Sequence, residues 1–231
     1  SGRLLGRFAV IAIPSILQQS FISVGNIVIQ SVINGFGPAV MAGYSAAIKL
    51  NNMIITALTT LGNGISNFTA QNLGAAQYDR IRAGFRAGLK LVWVLCLPLA
   101  LLYLLGPQLL GIYVARSDPA YDAVIASGMV RVTYMGLTYF VCGTMETCCG
   151  MVRGLGRSWI PMIVTIFGAC VLRIVWIYTI FQTHHTLGVL YLSYPVSWVV
   201  TSAVHVLCFI LIYRRMMARW NAHKEEKNAC H

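Results

Sequence analysis

The chain has 231 residues, 58% of them hydrophobic and only 10% charged, with a mean hydropathy of +0.71 and a formal net charge of +11 at pH 7. A water-soluble domain devotes about a quarter of its positions to Asp, Glu, Lys and Arg. This composition excludes a globule coated by polar surface, so lipid must be the solvent for most of the chain.

Residues 8–48, 50–78, 91–115, 158–172 and 174–213 carry no charge. All but the fourth window exceed the roughly 20 residues that a helix needs to cross a bilayer. The fourth continues past Arg173 into the fifth. Lipid-spanning strands would alternate in period two over about ten residues. These Leu/Ile/Val/Ala runs do not, and helices satisfy their own backbone polar groups. Six helices are predicted near 8–34, 39–76, 84–114, 120–154, 159–182 and 187–213, as one all-α, six-transmembrane-helix bundle over 1–213. A basic tail occupies 214–231. The breaks fall at "NGFGPA" (34–39) and "QTHHTLG" (182–188), both rich in turn formers. Pro14, Pro98 and Pro195 fall inside or near the ends of helices, where a kink is tolerated.

The chain opens Ser1-Gly2-Arg3, without methionine or a signal-peptide pattern, and is expected to begin inside a longer protein or behind a processing or cloning scar. Its seven cysteines (Cys96, Cys142, Cys148, Cys149, Cys170, Cys208 and Cys230) lie mostly in apolar runs. Their spacing is neither that of a zinc knuckle nor of a secreted disulfide framework, so they read as small hydrophobes.

The basic balance is a topology signal rather than a nucleic-acid signal. Thirteen of the 17 Lys and Arg fall on one side of a six-span arrangement. Arg116 and Arg131 border the other side, and Lys49 and Arg173 lie within helices. That asymmetry places both termini in the cytoplasm of a multi-pass cell-membrane protein. The tail, with Trp220, reads as a juxtamembrane segment on the anionic inner surface, with Cys230 as a terminal bystander.

Two helices carry polar stripes. On the first, Gln19, Ser23, Asn26, Gln30 and Asn34 recur at steps of 3 or 4. On the second, Lys49, Asn52, Thr56, Thr60, Asn63, Asn67 and Gln71 do the same. Such steps keep each set on one helical face, and amides facing hydrocarbon would be costly. The stripes are therefore expected either to pair across a packed hairpin or to line a water-filled pathway. Lys49 favours the pathway, because amides alone do not neutralise an ammonium about 15 Å into the membrane. Were the segment before it irregular, Lys49 would instead snorkel to the surface.

Glu146 is the only charge between Arg131 and Arg153. An ionisable group within a membrane is a functional candidate whose partner must be named, and Arg173 is the candidate partner. A tight hairpin around 154–158 sets Arg173 roughly 9 Å deeper than Glu146. Glu146 is then either a structural clamp with Arg173 or a site that binds a proton, metal cation or cationic solute in alternation. The mismatched depths favour the second. Tyr139, Cys142, Gly143 and Gly150 share the Glu146 face, where small residues admit a neighbouring helix. Tyr139 and Met145 could touch an aromatic solute.

"IPSILQQSFISVGNIVIQSVINGFGPAVMAGYSAA", "ISNFTAQNLGAAQYDRIRAG" and "MVRGLGRSWIPMI" together resemble the second half of a multidrug and toxic-compound extrusion (MATE) transporter, in order along nearly the whole chain. The resemblance implies one six-helix lobe of a twelve-helix antiporter. Such a protein exchanges H⁺ or Na⁺ for cationic or amphiphilic drugs across a cavity shared with an N-terminal lobe, by rocking of the lobes. No cofactor, bound catalytic metal or catalytic residue is implied. On this lobe layout the pathway residues are Glu146, Lys49, Gln19, Asn26, Gln30, Asn52, Tyr139 and Arg173. The sodium-linked subgroup carries carboxylates at positions that here hold Ile22 and, nearly, Cys142, so Glu146 could serve only as a displaced substitute.

Other classes fit less well. A lipid-linked-precursor flippase needs several cavity arginines. A membrane enzyme needs a nucleophile–base pair or metal-ligand set, and His205 has no carboxylate in its helix. A non-transporting scaffold leaves two polar faces unexplained. "RGLGRS" is not a phosphate-binding loop.

Overall fold

The computed structural model describes the backbone of residues 2–229, and within it the side chains of residues 2–222 other than 3, 4, 7, 8 and 99–103. Cys230 lies outside the described residues. So do the side chains of Arg3, Arg7, Lys224 and Lys227, which enter the charge asymmetry.

The described chain is all-helical. Helix α1 spans Gly2–Asn34, α2 Pro38–Gly74, and α3 Tyr78–Leu101. A 3₁₀ turn over Leu102–Leu105 leads into the short α4, Gly106–Gly111. Then come α5 (Tyr121–Gly136), α6 (Tyr139–Gly154) and α7 (Trp159–Thr165). A π-helical segment, Ile166–Val171, joins α7 to α8, Leu172–Tyr178. Finally α9 spans Ile180–Thr183 and α10 Leu187–Ala229.

Several of these elements depart from the six uninterrupted helices read in the sequence. The helix expected over 120–154 is two helices bent by 49°. The bend comes just after Gly136, and the Thr138 hydroxyl donates to the Tyr134 and Met135 carbonyls at 2.9 and 3.1 Å. Such back-bonding competes with the helical ladder and bends it. The helix expected over 159–182 is interrupted by the π segment, where Thr201 of α10 presses on Gly168. A π turn widens the helix and shifts the register of the residues beyond it, Arg173 among them. The third helix starts at Tyr78 rather than 84, and α10 runs on past 213.

Among the described residues, three stretches are long and apolar enough to cross a membrane alone: Ala9–Asn34, Trp159–Thr183 and Leu187–Ala222. The bent α5–α6 pair makes a fourth. Helix α2 is long enough, but its polar stripe interrupts each apolar stretch. Exposed Trp93, Val94, Leu97 and Leu207 clothe the exterior in apolar surface, the inverse of a water-facing protein.

The α6–α7 turn depends on Gly156 at φ +77°, a left-handed conformation that costs glycine little. The Gly156 and Arg157 amides close it by donating to the Arg153 and Val152 carbonyls, the usual end of a helix that must reverse. Helix α2 packs chiefly on α5 and α6, and α1 on α7 and the π segment. The main core joins α2, α5, α6 and α10 through Tyr44, Leu58, Met135, Tyr139, Met145, Tyr191 and Trp198. Cys96, Cys142, Cys148, Cys149 and Cys170 are buried free thiols.

Candidate functional site

Helix α1 lies only lightly on α2, so the two polar stripes do not form a packed hairpin. All seven stripe residues of α2, from Lys49 to Gln71, are exposed on the outside of the lobe. On α1, Gln19, Ser23 and Asn34 are exposed, while Asn26 and Gln30 are half-buried. Their bonds stay within their own helix: Ser23 donates to the Gln19 carbonyl at 3.0 Å, and Gln30 to Asn34 Oδ1 at 3.0 Å. Among the described residues no side-chain hydrogen bond joins one stripe to the other. Pairing of one stripe with the other is thus not what these residues do.

Lys49, exposed, holds its ammonium 4.9 Å from the centre of the Tyr113 ring. Asn52 is exposed three residues on.

Glu146 is half-buried on α6 where that helix crosses α2. A Cβ on Gly62 of α2 would stand 3.0 Å from the Glu146 carbonyl oxygen, and one on Gly150 would collide with the Gly62 carbonyl. Only glycines permit this crossing. The bridge from Glu146 to Arg173 is absent. The cation acting on Glu146 is Arg153, two turns along α6. Arg153 in turn donates to Asn63 Oδ1 of α2 at 3.0 Å and to Gln18 Oε1 of α1 at 3.4 Å. Gln18, buried, donates onward to Thr165 of α7 at 3.1 Å. Stripe residue Asn63 is thereby wired to the neighbourhood of Glu146. Sequence reasoning misses Gln18 because it sits one position off the stripe, on the face turned inward.

Arg173 is buried at 4% exposure, donating Nε to Ser197 Oγ at 2.9 Å. Its guanidinium lies 4.0 Å from the centre of the Tyr194 ring. The same ring serves Arg131, a residue that the sequence assigns to the membrane border and the structure buries. Arg131 is only 2% exposed, with the Tyr44, Tyr191 and Tyr194 ring centres at 4.8, 5.5 and 4.9 Å from its guanidinium carbon. Its place on α5 is legible: it stands ten residues past the helix start, about as deep as Lys49 stands in α2. The groups acting on the two arginines are tyrosines, cysteines and each other, with no carboxylate among them. A ring facing a desolvated cation contributes about 2 kcal/mol, yet each buried unpaired donor costs about 1–3 kcal/mol. The Nε and Nη1 of Arg131 are both unpaired.

Tyr139 is buried, donating its hydroxyl to Asn51 Oδ1 at 2.9 Å, with Trp198 at 6.0 Å between ring centres. Tyr139, Asn51 and Arg131 line a cavity of about 410 Å³ between α2, α4 and α5. Met145 is core. The eight expected site residues thus divide into an outer stripe with Lys49, Gln19, Asn26, Gln30 and Asn52, a Glu146 neighbourhood, and an inner group with Tyr139 and Arg173.

A family model described as MatE matches residues 14–179, well over half of the chain. The chain belongs to the MatE family. It is 23% identical over 158 residues to a probable multidrug resistance protein, YoeA, of Bacillus subtilis, covering 68% of this chain and 33% of that one. It is 29% identical over 143 residues to the multidrug resistance protein PmpM of Pseudomonas aeruginosa, covering 61% and 28%. A crystal structure of a MATE in complex with MaL6 superposes with a TM-score of 0.78 at 17% identity, covering 94% of this chain and 48% of that chain. This MatE chain therefore spans about a third of its curated relatives and about half of a solved transporter, as expected of one lobe.

Proposed function

We propose that the chain is one six-helix lobe of a multidrug efflux transporter, exporting cationic or amphiphilic solutes by antiport with H⁺ or Na⁺. One observation carries the reading: the α2 stripe is exposed along its whole length, on a helix whose buried face packs against α5 and α6. Amides on a lobe surface at membrane depth require a protein or aqueous neighbour. A second, N-terminal lobe opposite them encloses a cavity with polar walls. Glu146 stands behind that wall as the coupling group, with Arg153 as its nearby counter-charge and Asn63 between wall and network. Arg131 and Arg173 are turned inward, away from the stripe, which disfavours a flippase gripping a pyrophosphate.

Both termini are cytoplasmic in this reading. Arg157, Arg215 and Arg219 gather beside Tyr78 and Trp220 in one groove, so separate chain segments bring basic residues to the same end, as an anionic inner leaflet favours. The partners are the bilayer, the second lobe and small-molecule substrates, with no nucleic acid.

The test is counterflow of ethidium in vesicles under imposed pH and Na⁺ gradients, with this chain alone and together with an N-terminal lobe. Gradient-driven flux with both lobes supports the proposal. Flux under neither gradient in either format rejects it in favour of the flippase or the scaffold.

A further inference from the structure

We propose that the cavity between α2, α4 and α5 is a binding site for an amphiphilic anion, a single negative charge on an apolar body, with Arg131 as its counter-ion. The site borders the exposed stripe at Lys49 but does not rest on the efflux reading.

Arg131 is part of the cavity wall and is 2% exposed, yet its Nε and Nη1 have no hydrogen-bond partner. A guanidinium can be stacked on by tyrosines, but its in-plane N–H groups still require acceptors. The hydroxyl of Tyr191 beside it is buried and unpartnered as well, whereas that of Tyr194 lies close to Arg131 and Tyr44. Arg173, sharing the Tyr194 ring, adds a second positive charge with no carboxylate to offset it. A buried charge is normally paired, and an anion entering the cavity would supply the acceptors.

The cavity says what kind of anion. Its volume of about 410 Å³ lies within the range of small-molecule sites. Ile54, Leu109, Val132 and Met135 make the wall apolar, whereas Asn51 and Tyr139 add polar atoms near Arg131. Because Asn51 Oδ1 accepts the Tyr139 hydroxyl, its amide N–H groups remain to donate. At the rim, Met53 and Ile112 are 67% and 72% exposed, so the cavity reaches the surface. Lys49 sits over rim residue Tyr113, a second cation on the approach. Clefts with low-dielectric walls and one sign of charge concentrate ions of the other sign. A hydrophilic ion would forfeit the apolar wall; an alkyl carboxylate or an acidic lipid headgroup uses both parts.

Dodecanoate is the probe, with dodecanol and dodecyltrimethylammonium as neutral and cationic controls of equal chain length. Binding to the purified chain in non-ionic micelles is followed by equilibrium dialysis. Saturable dodecanoate binding at least about tenfold tighter than either control is expected, from one charge-assisted pair in a desolvated site. Arg131→Met should remove that preference. Leu109→Trp, which fills the cavity while leaving the arginine, should weaken binding by a similar factor, and covers the case in which Arg131→Met does not fold. Lys49→Gln should weaken binding about two- to threefold at low salt only. Mass spectrometry of the untreated chain separates the two sources of the ligand. A co-purified acidic lipid that dodecanoate displaces assigns a lipid; a chain that carries none and still binds dodecanoate assigns a free organic anion. Equal binding of the three probes, or full dodecanoate affinity in Leu109→Trp, overturns the proposal.

Discussion

Arg131 and Arg173, on different helices, share one aromatic partner: the Tyr194 ring centre lies 4.9 Å from the first guanidinium and 4.0 Å from the second. Like charges brought together without an acid repel, so the ring must do much of the holding. Its quadrupole attracts both cations. The hydroxyl makes no hydrogen bond of good geometry, so it is expected to add little by itself. Tyr194→Leu is therefore expected to destabilise the lobe by about 2–4 kcal/mol, from lost stacking and a cavity. Tyr194→Phe should stay within about 1 kcal/mol of the parent. Chemical denaturation of the purified chain in micelles checks both; a Phe variant as damaged as the Leu variant would show that the hydroxyl, not the ring, matters.

The α2–α6 crossing makes a sharper packing test. A Cβ at position 150 would collide with the Gly62 carbonyl, a backbone atom that has no rotamer to escape into. Gly150→Ala is expected to cost about 1–3 kcal/mol, because the helices must separate. Gly64, on the same α2 helix, has open space around it. There Gly64→Ala should be neutral or stabilising by up to about 1 kcal/mol. Thermal unfolding of the two variants decides; equal effects would mean that the crossing is looser than its geometry.

Much of this layout is written in the helical periodicity, and the exceptions have physical causes. The stripe from Lys49 to Gln71 keeps its period because α2 is one unbroken helix, so a single exposed face is what its spacing describes. Arg173 stands apart from Glu146, as the mismatched depths favoured, but the π segment at Ile166–Val171 that sets its orientation is hidden, because nothing in "IFGACV" marks an i→i+5 turn. The bend at Thr138 is hidden for a related reason: a threonine hydroxyl competing with the backbone looks like any other threonine in sequence. Arg131 reads as a border residue because of its proximity to the outer loop, although its distance along α5 already places it at depth. Asn51 and Gln18 escape notice because each sits beside a stripe rather than in it; an off-register amide in a membrane helix points inward and needs a partner.

Glu146 is the acid that the efflux proposal depends on. The Gln variant is isosteric, and the α2 contact at this position is with its backbone and Cβ. Glu146→Gln should therefore leave stability within about 1 kcal/mol while abolishing ethidium flux driven by a pH or Na⁺ gradient in the two-lobe protein. Arg153→Met, which removes the neighbouring cation and its bonds to Asn63 and Gln18, should shift the pH dependence of that flux instead of abolishing it. Unchanged transport in Glu146→Gln would remove this carboxylate from coupling.

Exposure alone does not separate a water-lined face from a lipid-facing one, and here two positions do. Thr56, in the middle of the α2 stripe, is exposed, and Val94 on α3 is 68% exposed. If a second lobe and an aqueous cavity lie over the stripe, Thr56 meets water and Val94 meets acyl chains. A thiol reacts as its thiolate, which water supports and hydrocarbon does not. In vesicles holding both lobes, Thr56→Cys should react with a charged maleimide at least about tenfold faster than Val94→Cys, a difference that corresponds to roughly 1.4 kcal/mol in ionising the thiol. A saturating cationic substrate should slow the first reaction and leave the second unchanged. Equal rates would show that the amide and hydroxyl face is covered by lipid or sealed by protein, and the polar stripe would then need a purpose other than transport.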